Sequence, residues 1–185
     1  DGTFKTVHSF GAQYASLAWI RSGLTRDGDY LYGTAQGGGT QNLGGVFRLT
    51  VQTGEVDEFY SFAGDPAGGY PVGELMPGPG GLYGLTSKVL GDSLGTVFRV
   101  TTGIEPNVER VLGINESLGK PPTGLVSVGP YVYVATQTYG AHGYGTVFRF
   151  QPQDATPAST VQVVHSFNAW PYPEQDGGSP IGLAL

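Results

Sequence analysis

A six-residue motif recurs three times at a constant spacing, and it restricts the possible folds more than any other feature. Residues 44–49 read GGVFRL, residues 95–100 read GTVFRV and residues 145–150 read GTVFRF. The Phe of this Val-Phe-Arg element therefore returns after 51 and then 50 residues. Such a period is typical of stacked repeat units, each of which buries its apolar face only against a neighbour.

Three further elements repeat with the first. A Leu-Tyr-Gly element occupies residues 31–33, 82–84 and, more loosely, 132–134. A His-Ser-Phe element occupies residues 7–10, 59–62 and 164–167, with 110–112 as a degraded copy, and a Gly-Leu element occupies residues 23–24, 73–75, 124–125 and 182–183. The alternation of apolar positions predicts that these elements are β-strands, and the Gly and Pro residues between the Gly-Leu and Leu-Tyr-Gly elements predict tight hairpins.

The composition favours the same fold class. The 185 residues include 32 Gly and 13 Pro, which disfavours long helices. A hydrophobic fraction of 39% is too high for a disordered chain. Because four short antiparallel strands in about 50 residues make one propeller blade, we predict an all-β fold of β-propeller-type repeats, about three and a half four-stranded blades of a larger ring. The alternative, an irregular β-sandwich, does not explain the period.

The repeats predict one domain over residues 1–185, with units of approximately 1–50, 51–101, 102–151 and an incomplete 152–185. The His-Ser-Phe and Gly-Leu elements each occur four times and the other two three times, which gives fourteen strands. We therefore expect that these strands do not close a ring alone. The missing strands would come from a continuation of the polypeptide, which we favour, from a second copy of the chain, or from a different subunit.

The pattern resembles the GloVer tandem repeat of bacterial surface or exported proteins with varied C-terminal anchors. The resemblance is carried by residues 31–34 (LYGT), 145–149 (GTVFR) and 176–183 (DGGSPIGL), and it extends over essentially the whole chain except for the 11–20 and Trp170 regions. It implies export and a propeller-like fold, and it implies no catalytic residues.

Charge and composition argue against several partners and cofactors. The formal net charge is −6 with no basic cluster, so binding to nucleic acid or to an anionic membrane surface is not expected. No apolar run reaches the length of about 18 residues that a spanning helix needs. The absence of cysteine excludes disulfides and thiolate metal sites.

Two adjacent positions repeat in every Val-Phe-Arg element. We expect Phe47, Phe98 and Phe148 to be buried at equivalent positions, and Arg48, Arg99 and Arg149 to face the other side of the strand. The Arg residues could form a ring that binds an anion. The favoured interpretation is structural, with each Arg holding neighbouring blades together through backbone carbonyls or an aromatic face.

The sequence contains no convincing metal or catalytic motif, and no cofactor is predicted. His8, His142 and His165 lie on different repeats, and the two carboxylates of residues 27–29 are too few for Ca²⁺. The acidic residues form no paired motif and a Gly-x-Ser-x-Gly sequence is absent.

The loop that departs most from the repeat carries Trp170, Tyr172 and Glu174 and is the candidate partner-binding surface. The alternative is that Trp170 covers the edge of the last blade. We therefore predict a non-enzymatic scaffold that is extracellular, at the cell surface or periplasmic, and that binds another protein or serves as an accessory subunit. The alternative is a lectin or carbohydrate-active enzyme on the same fold.

Overall fold

A computed structural model describes residues 3–11, 16–64, 66–88, 94–102, 107–168 and 177–184. The described residues form thirteen β-strands and one short 3₁₀ helix, Pro157–Thr160. The strands make three antiparallel sheets, none of which closes on itself. The all-β prediction is confirmed. The prediction that residues 7–10 and 182–183 are strands is wrong, because these segments pair with no strand of the described residues.

Each sheet follows the chain from one strand to the next. The first sheet contains β1 (Ala18–Ile20), β2 (Thr25–Asp27), β3 (Tyr30–Gly37), β4 (Gly45–Thr50) and β5 (Val56–Ser61). The second contains β6 (Gly69–Gly78), β7 (Gly81–Lys88), β8 (Thr96–Thr101) and β9 (Asn107–Gly113). The third contains β10 (Lys120–Val128), β11 (Tyr131–Thr138), β12 (Thr146–Phe150) and β13 (Gln162–Ser166). Strand order within each sheet is sequential, except that both β1 and β2 pair with β3.

The sheets and the predicted repeat units differ in phase. Each sheet contains a Gly-Leu, a Leu-Tyr-Gly and a Val-Phe-Arg strand and then the His-Ser-Phe strand that the sequence places in the following unit. The sheets consequently run over residues 18–61, 69–113 and 120–166, later than the unit boundaries by one strand. The reason is local: the His-Ser-Phe strand follows the Val-Phe-Arg strand along the chain and pairs antiparallel with it.

The Gly-Leu element lies at an irregularity in the first strand of every sheet. In the second and third sheets the register shifts between Val72 and Met76 and between Pro122 and Gly124. In the first sheet the strand is interrupted between β1 and β2, where the Ser22 hydroxyl accepts a hydrogen bond from Thr34 N at 3.0 Å and donates one to Thr34 O at 3.2 Å. A side chain thus replaces the backbone ladder at this position.

The sheets stack in chain order with an apolar core between each pair. Tyr32 and Val46 of the first sheet pack with Leu82, Phe98 and Val100 of the second. The second core contains the equivalent residues one sheet further along: Tyr83 and Val97 on one side, and Val132, Phe148 and Phe150 on the other. We call the face that each sheet turns toward the following sheet its leading face, and the opposite face its trailing face.

The Phe of each Val-Phe-Arg strand lies on the trailing face. Phe47 is 3% exposed, and Phe98 and Phe148 are 0% exposed. The Phe of the preceding His-Ser-Phe element packs on the first two of these rings: the ring of Phe10 lies 4.8 Å from that of Phe47, and Phe62 lies 5.2 Å from Phe98. Segment 3–11 therefore provides for the first sheet the contact that the second sheet receives from its predecessor.

Candidate functional site

The repeated Arg position binds an acceptor on the neighbouring strand of its own sheet. The Arg lies directly across the ladder from this acceptor in every case: Arg48 from Asp57, Arg99 from Glu109 and Arg149 from Gln162. The N–O distances are 3.0, 2.9 and 2.9 Å in that order. These hydrogen bonds stay within one sheet, which differs from the expectation that the Arg residues hold neighbouring blades together.

Aromatic rings contact the guanidinium groups of Arg48 and Arg149. Arg48 lies 4.7 Å from the ring centroid of Tyr30, and Arg149 lies 4.3 Å from that of Tyr131. The hydrogen bond to Asp57 raises the pKa of Arg48, and a hydrogen bond to Tyr133 does the same for Arg149. A guanidinium that already binds an acceptor and an aromatic face has fewer free donors, so these contacts favour the structural interpretation over an anion-binding ring.

The Tyr of the Leu-Tyr-Gly element lies beside this Arg on the leading face. Tyr32 is 1% exposed and Tyr83 is 0% exposed. Burial raises the pKa of Tyr32 above its ordinary value, and the charge and hydrogen bond of Arg48 oppose the rise. The neutral phenol is therefore the form that the fold stabilises.

Pairs of buried threonines form a second polar feature of the repeat. In the second sheet, the hydroxyl groups of Thr86 and Thr96 lie 2.8 Å apart, and Thr96 donates to the Ala67 carbonyl at 2.9 Å. In the third sheet, the hydroxyls of Thr136 and Thr146 lie 3.0 Å apart. Each pair thus connects the two central strands of its sheet, through hydrogen bonds, to the loop that precedes the first strand of that sheet.

The Gly-Leu strands of the second and third sheets line a cleft with a volume of about 350 Å³, together with segment 182–184. Its wall is mainly apolar and includes Met76, Leu85 and Leu125, and Glu74 is the acidic residue among the described residues that line it. Catalysis of glycoside hydrolysis by paired carboxylates needs a second acidic group at about 5–10 Å. The lining residues supply one carboxylate and one hydroxyl, that of Thr123.

Two of the three histidines pack against a phenylalanine ring. His8 packs against Phe10 and His165 against Phe167, with ring centroids 4.6 and 4.8 Å apart and edge-to-face geometry. Within the part of the chain that the structure describes, no group of three or more His, Cys, Asp and Glu side chains is placed to hold a metal ion. Asp27, one of the residues considered as a calcium ligand, accepts a hydrogen bond from the hydroxyl of Thr102, which directly follows β8.

All three sheets have a buried Phe and an Arg–acceptor pair at equivalent positions. The internal repeat is therefore present in the structure as well as in the sequence. The chain belongs to the Gloeobacter/Verrucomicrobia repeat family. The family model matches residues 1–184, nearly the whole chain. No curated protein and no solved structure matches the chain.

Two regions were predicted to depart most from the repeat, residues 11–20 and the region of Trp170. Trp170, Tyr172 and Glu174, the candidate partner-binding residues, lie outside the described residues. In the 11–20 region, the side chain of Trp19 is 62% exposed. The described ranges contain no helix whose length and apolarity would suit a membrane span.

Sequence reasoning missed the acceptors of the Arg residues and the threonine pairs. Asp57, Glu109 and Gln162 follow their Arg partners by 9, 10 and 13 residues. Because the connecting loops differ in length, these acceptors do not keep the 50-residue period. The threonine pairs do keep it, with a separation of 10 residues in both sheets, and this signal was available in the sequence.

Proposed function

We propose that the three sheets are consecutive blades of a β-propeller-type ring. In this proposal the ring is a non-enzymatic scaffold outside the cytoplasm, either in the medium, at the cell surface or in the periplasm. It binds another protein or serves as an accessory subunit of a larger assembly. The resemblance to exported GloVer proteins supports the location, and the stacking of the sheets supports the ring.

The observation that carries the proposal is that one set of contacts joins each sheet to the next. The loop after the third strand of a sheet bonds the first hairpin of the preceding sheet at both junctions. Thr102 donates to Asp27 at the first junction, and Gln153 Nε2 donates to the Pro79 carbonyl at 2.6 Å at the second. Repeating one junction is how a propeller places its blades around an axis.

The distribution of repeated and variable residues supports a scaffold role. The repeated Phe, Tyr, Arg and Thr side chains contact partners inside the stack. What differs between the repeats is the loops, and loops on a rigid framework commonly carry recognition. Among these, the Trp170 loop has the aromatic content typical of binding surfaces.

The test is a binding experiment with two tryptophan variants. The purified chain is immobilised and exposed to a cell-envelope extract of the source organism, and retained proteins are quantified. We expect retention of a defined protein by the wild type and by the Trp19→Ala control. At least a tenfold loss is expected for Trp170→Ala combined with Tyr172→Ala. Equal retention by all three chains would contradict the proposed role of the loop.

The same proteins can be tested against carbohydrate. Electrophoresis through gels that contain soluble polysaccharides, together with assays on chromogenic glycosides, separates a scaffold from a lectin or a glycosidase. We expect neither retardation nor turnover. A mobility shift that disappears with Glu74→Gln would favour carbohydrate binding in the cleft and contradict the proposal.

A further inference from the structure

The leading face of the third sheet is more exposed than the leading faces of the other two. Tyr133 and Val147 are half-buried, whereas their equivalents are buried in the first and second sheets: Tyr32, Tyr83, Val46 and Val97. Val164 is 53% exposed, and its equivalents Phe59 and Val111 pack against the cores between the sheets. The leading face of the third sheet thus carries apolar residues like those of an inner face, but the described residues cover only part of it.

Segment 177–184 lies against this sheet as the first strand of a following sheet does. Ser179 N donates to the Tyr144 carbonyl at 2.8 Å, and the equivalent Tyr70 N donates to the Leu43 carbonyl at 2.7 Å. Thr123 donates to the Pro180 carbonyl at 2.9 Å, and the Gly124 backbone closely approaches Gly182. Segment 177–184 therefore makes with the third sheet a contact equivalent to one that joins the first and second sheets.

We propose that the leading face of the third sheet binds a two-stranded β-hairpin of this same repeat type. The hairpin consists of a Leu-Tyr-Gly strand, which pairs with segment 177–184, and a Val-Phe-Arg strand. This inference rests on the proposed propeller arrangement, since it extends the junction between blades by one step.

The occupied junctions define the chemistry of the hairpin. Residues at alternate positions face the preceding sheet and are apolar: Leu82, Phe98 and Val100 in one hairpin, and Val132, Val134, Phe148 and Phe150 in the other. The ring of the incoming Phe would pack on Phe167. Phe167 contacts His165 in edge-to-face geometry at 4.8 Å, as Phe62, the cover of Phe98, contacts Tyr60 at 5.1 Å.

A hairpin fits this surface better than a second copy of the chain does. In a head-to-tail dimer the trailing face of the partner's first sheet would have to cover the surface. That face already carries the ring of Phe10 on Phe47, which leaves Phe47 only 3% exposed. Phe167 and segment 177–184 would compete with Phe10 and with β1 and β2 for the same positions.

The test uses a synthetic peptide with the sequence of residues 131–150 and the whole chain. Binding is measured by isothermal titration, and hydrogen exchange is followed at the amides of residues 177–184. We expect saturable one-to-one binding and at least tenfold slower exchange in this segment, because the added strand provides acceptors for its N–H groups. A peptide with Phe148→Ser is expected to bind at least tenfold more weakly.

Two adjacent residues of the third sheet provide a matched pair of variants. Val164→Lys places a charge on the leading face and is expected to weaken peptide binding at least tenfold. Val163 is similarly exposed, at 50%, but lies across the ladder from Phe148, and its equivalents are already charged, Glu58 and Arg110. Val163→Lys should therefore change binding less than twofold, and both variants should retain the wild-type melting temperature within a few degrees.

Three outcomes overturn the proposal: no binding of the peptide, equal weakening by both variants, or unchanged exchange in residues 177–184. Dimerisation of the chain in light scattering that Val164→Lys abolishes also overturns it, because it assigns the surface to a second copy. Failure of peptide binding while the Trp170 loop still determines partner retention would refute the hairpin site and leave the scaffold proposal intact.

Discussion

Gly84, the Gly of the second Leu-Tyr-Gly element, lies at a position where an added methyl group would test how tightly the sheets are packed. A Cβ atom at Gly84 would lie 2.2 Å from Phe98 Cζ, 2.7 Å from Phe98 Cε1 and 2.8 Å from Leu75 Cδ2. Phe98 is fully buried and packs on Phe62, so its ring has little room to move aside. We therefore expect Gly84→Ala to overpack the core between the first two sheets.

The cost can be estimated from two opposing terms. Overpacking a well-packed core costs about 1–3 kcal/mol. Replacing Gly by Ala restricts the unfolded chain and returns about 0.4–1 kcal/mol. Gly84 needs no positive φ, so no backbone strain is added. Because the Cβ would lie only 2.2 Å from Phe98 Cζ, the overpacking cost should be in the upper half of its range, about 2–3 kcal/mol, and the net loss in the free energy of unfolding should be about 1–2.5 kcal/mol.

Urea denaturation of three glycine variants measures this loss. Gly182→Ala is the control, because a Cβ there has no atom within 4 Å, and it should change stability by less than about 0.5 kcal/mol. Gly33→Ala should fall between the two. A Cβ there would lie 2.4 Å from Phe47 Cζ, nearly as close as the clash at Gly84, but Leu24, at 3.0 Å, is 50% exposed and can move aside. Phe98→Leu should reduce the cost of Gly84→Ala. If Gly84→Ala proves as harmless as Gly182→Ala, the packing argument is refuted.

Three further predictions concern the repeated residues. Phe98→Ala and Phe148→Ala should each lower the free energy of unfolding by about 3–5 kcal/mol in urea titrations, and a loss below about 1 kcal/mol would place the core elsewhere. Tyr32 has a raised pKa, so the stability due to its neutral phenol is present below about pH 10 and is lost as pH rises through the pKa of the folded state. Above about pH 10 the melting temperature of Tyr32→Phe should therefore fall less steeply with pH than that of the wild type. An equally steep fall in both proteins would contradict this. Thr136→Val should cost about 1–3 kcal/mol, because it removes the hydroxyl that binds Thr146 N at 3.1 Å and the Leu118 carbonyl at 2.7 Å; stability equal to that of the wild type would show that these groups have other partners.

The sequence was sufficient for those features that keep both period and residue type. The 50-residue spacing led to most of the strand elements, although not at 7–10 and 182–183, and the alternation of Phe and Arg indicated that the Phe side chains of β4, β8 and β12 are buried. The residues at which one sheet ends and the next begins were harder to predict. A tandem repeat can be divided at any point, and only the pairing of β5, β9 and β13 with the preceding strand decides where one sheet ends.

Other features of the candidate site escaped prediction because their geometry is set by loops of unequal length. The acceptor of Arg149 lies 13 residues away and that of Arg48 only 9. Both nevertheless lie directly across the ladder from their Arg, since the outer strand pairs in the same register whatever the length of its connection. Spacing along the chain is therefore a poor guide to partners across this hairpin, whereas register is a good one.

The first sheet shows why a repeat can persist in structure after its residues have changed. Its equivalents of the second sheet's Gly68 and Thr96 are Leu17 and Gly45. A Cβ at Gly68 would lie 2.4 Å from the Thr86 hydroxyl, and a Cβ at Gly45 would lie 2.7 Å from the Leu17 side chain. Thus one sheet pairs a large residue in the loop with a glycine on the strand, and the other pairs a glycine in the loop with threonines on the strands.

This exchange keeps the filled volume nearly constant, which close packing requires, although neither residue type is retained. It also means that a single substitution at Leu17 or Gly45 disturbs the packing. Leu17→Gly alone would leave a cavity. Gly45→Thr alone would clash with Leu17 and with the Tyr60 carbonyl oxygen, which lies 2.3 Å from the position that a Cβ on Gly45 would take. The double change together with Ala35→Thr should be tolerated better in urea denaturation than either single change, because the three substitutions reproduce the Gly68, Thr86 and Thr96 arrangement of the second sheet. What the repeat preserves at this position is the approximate sum of three side-chain volumes.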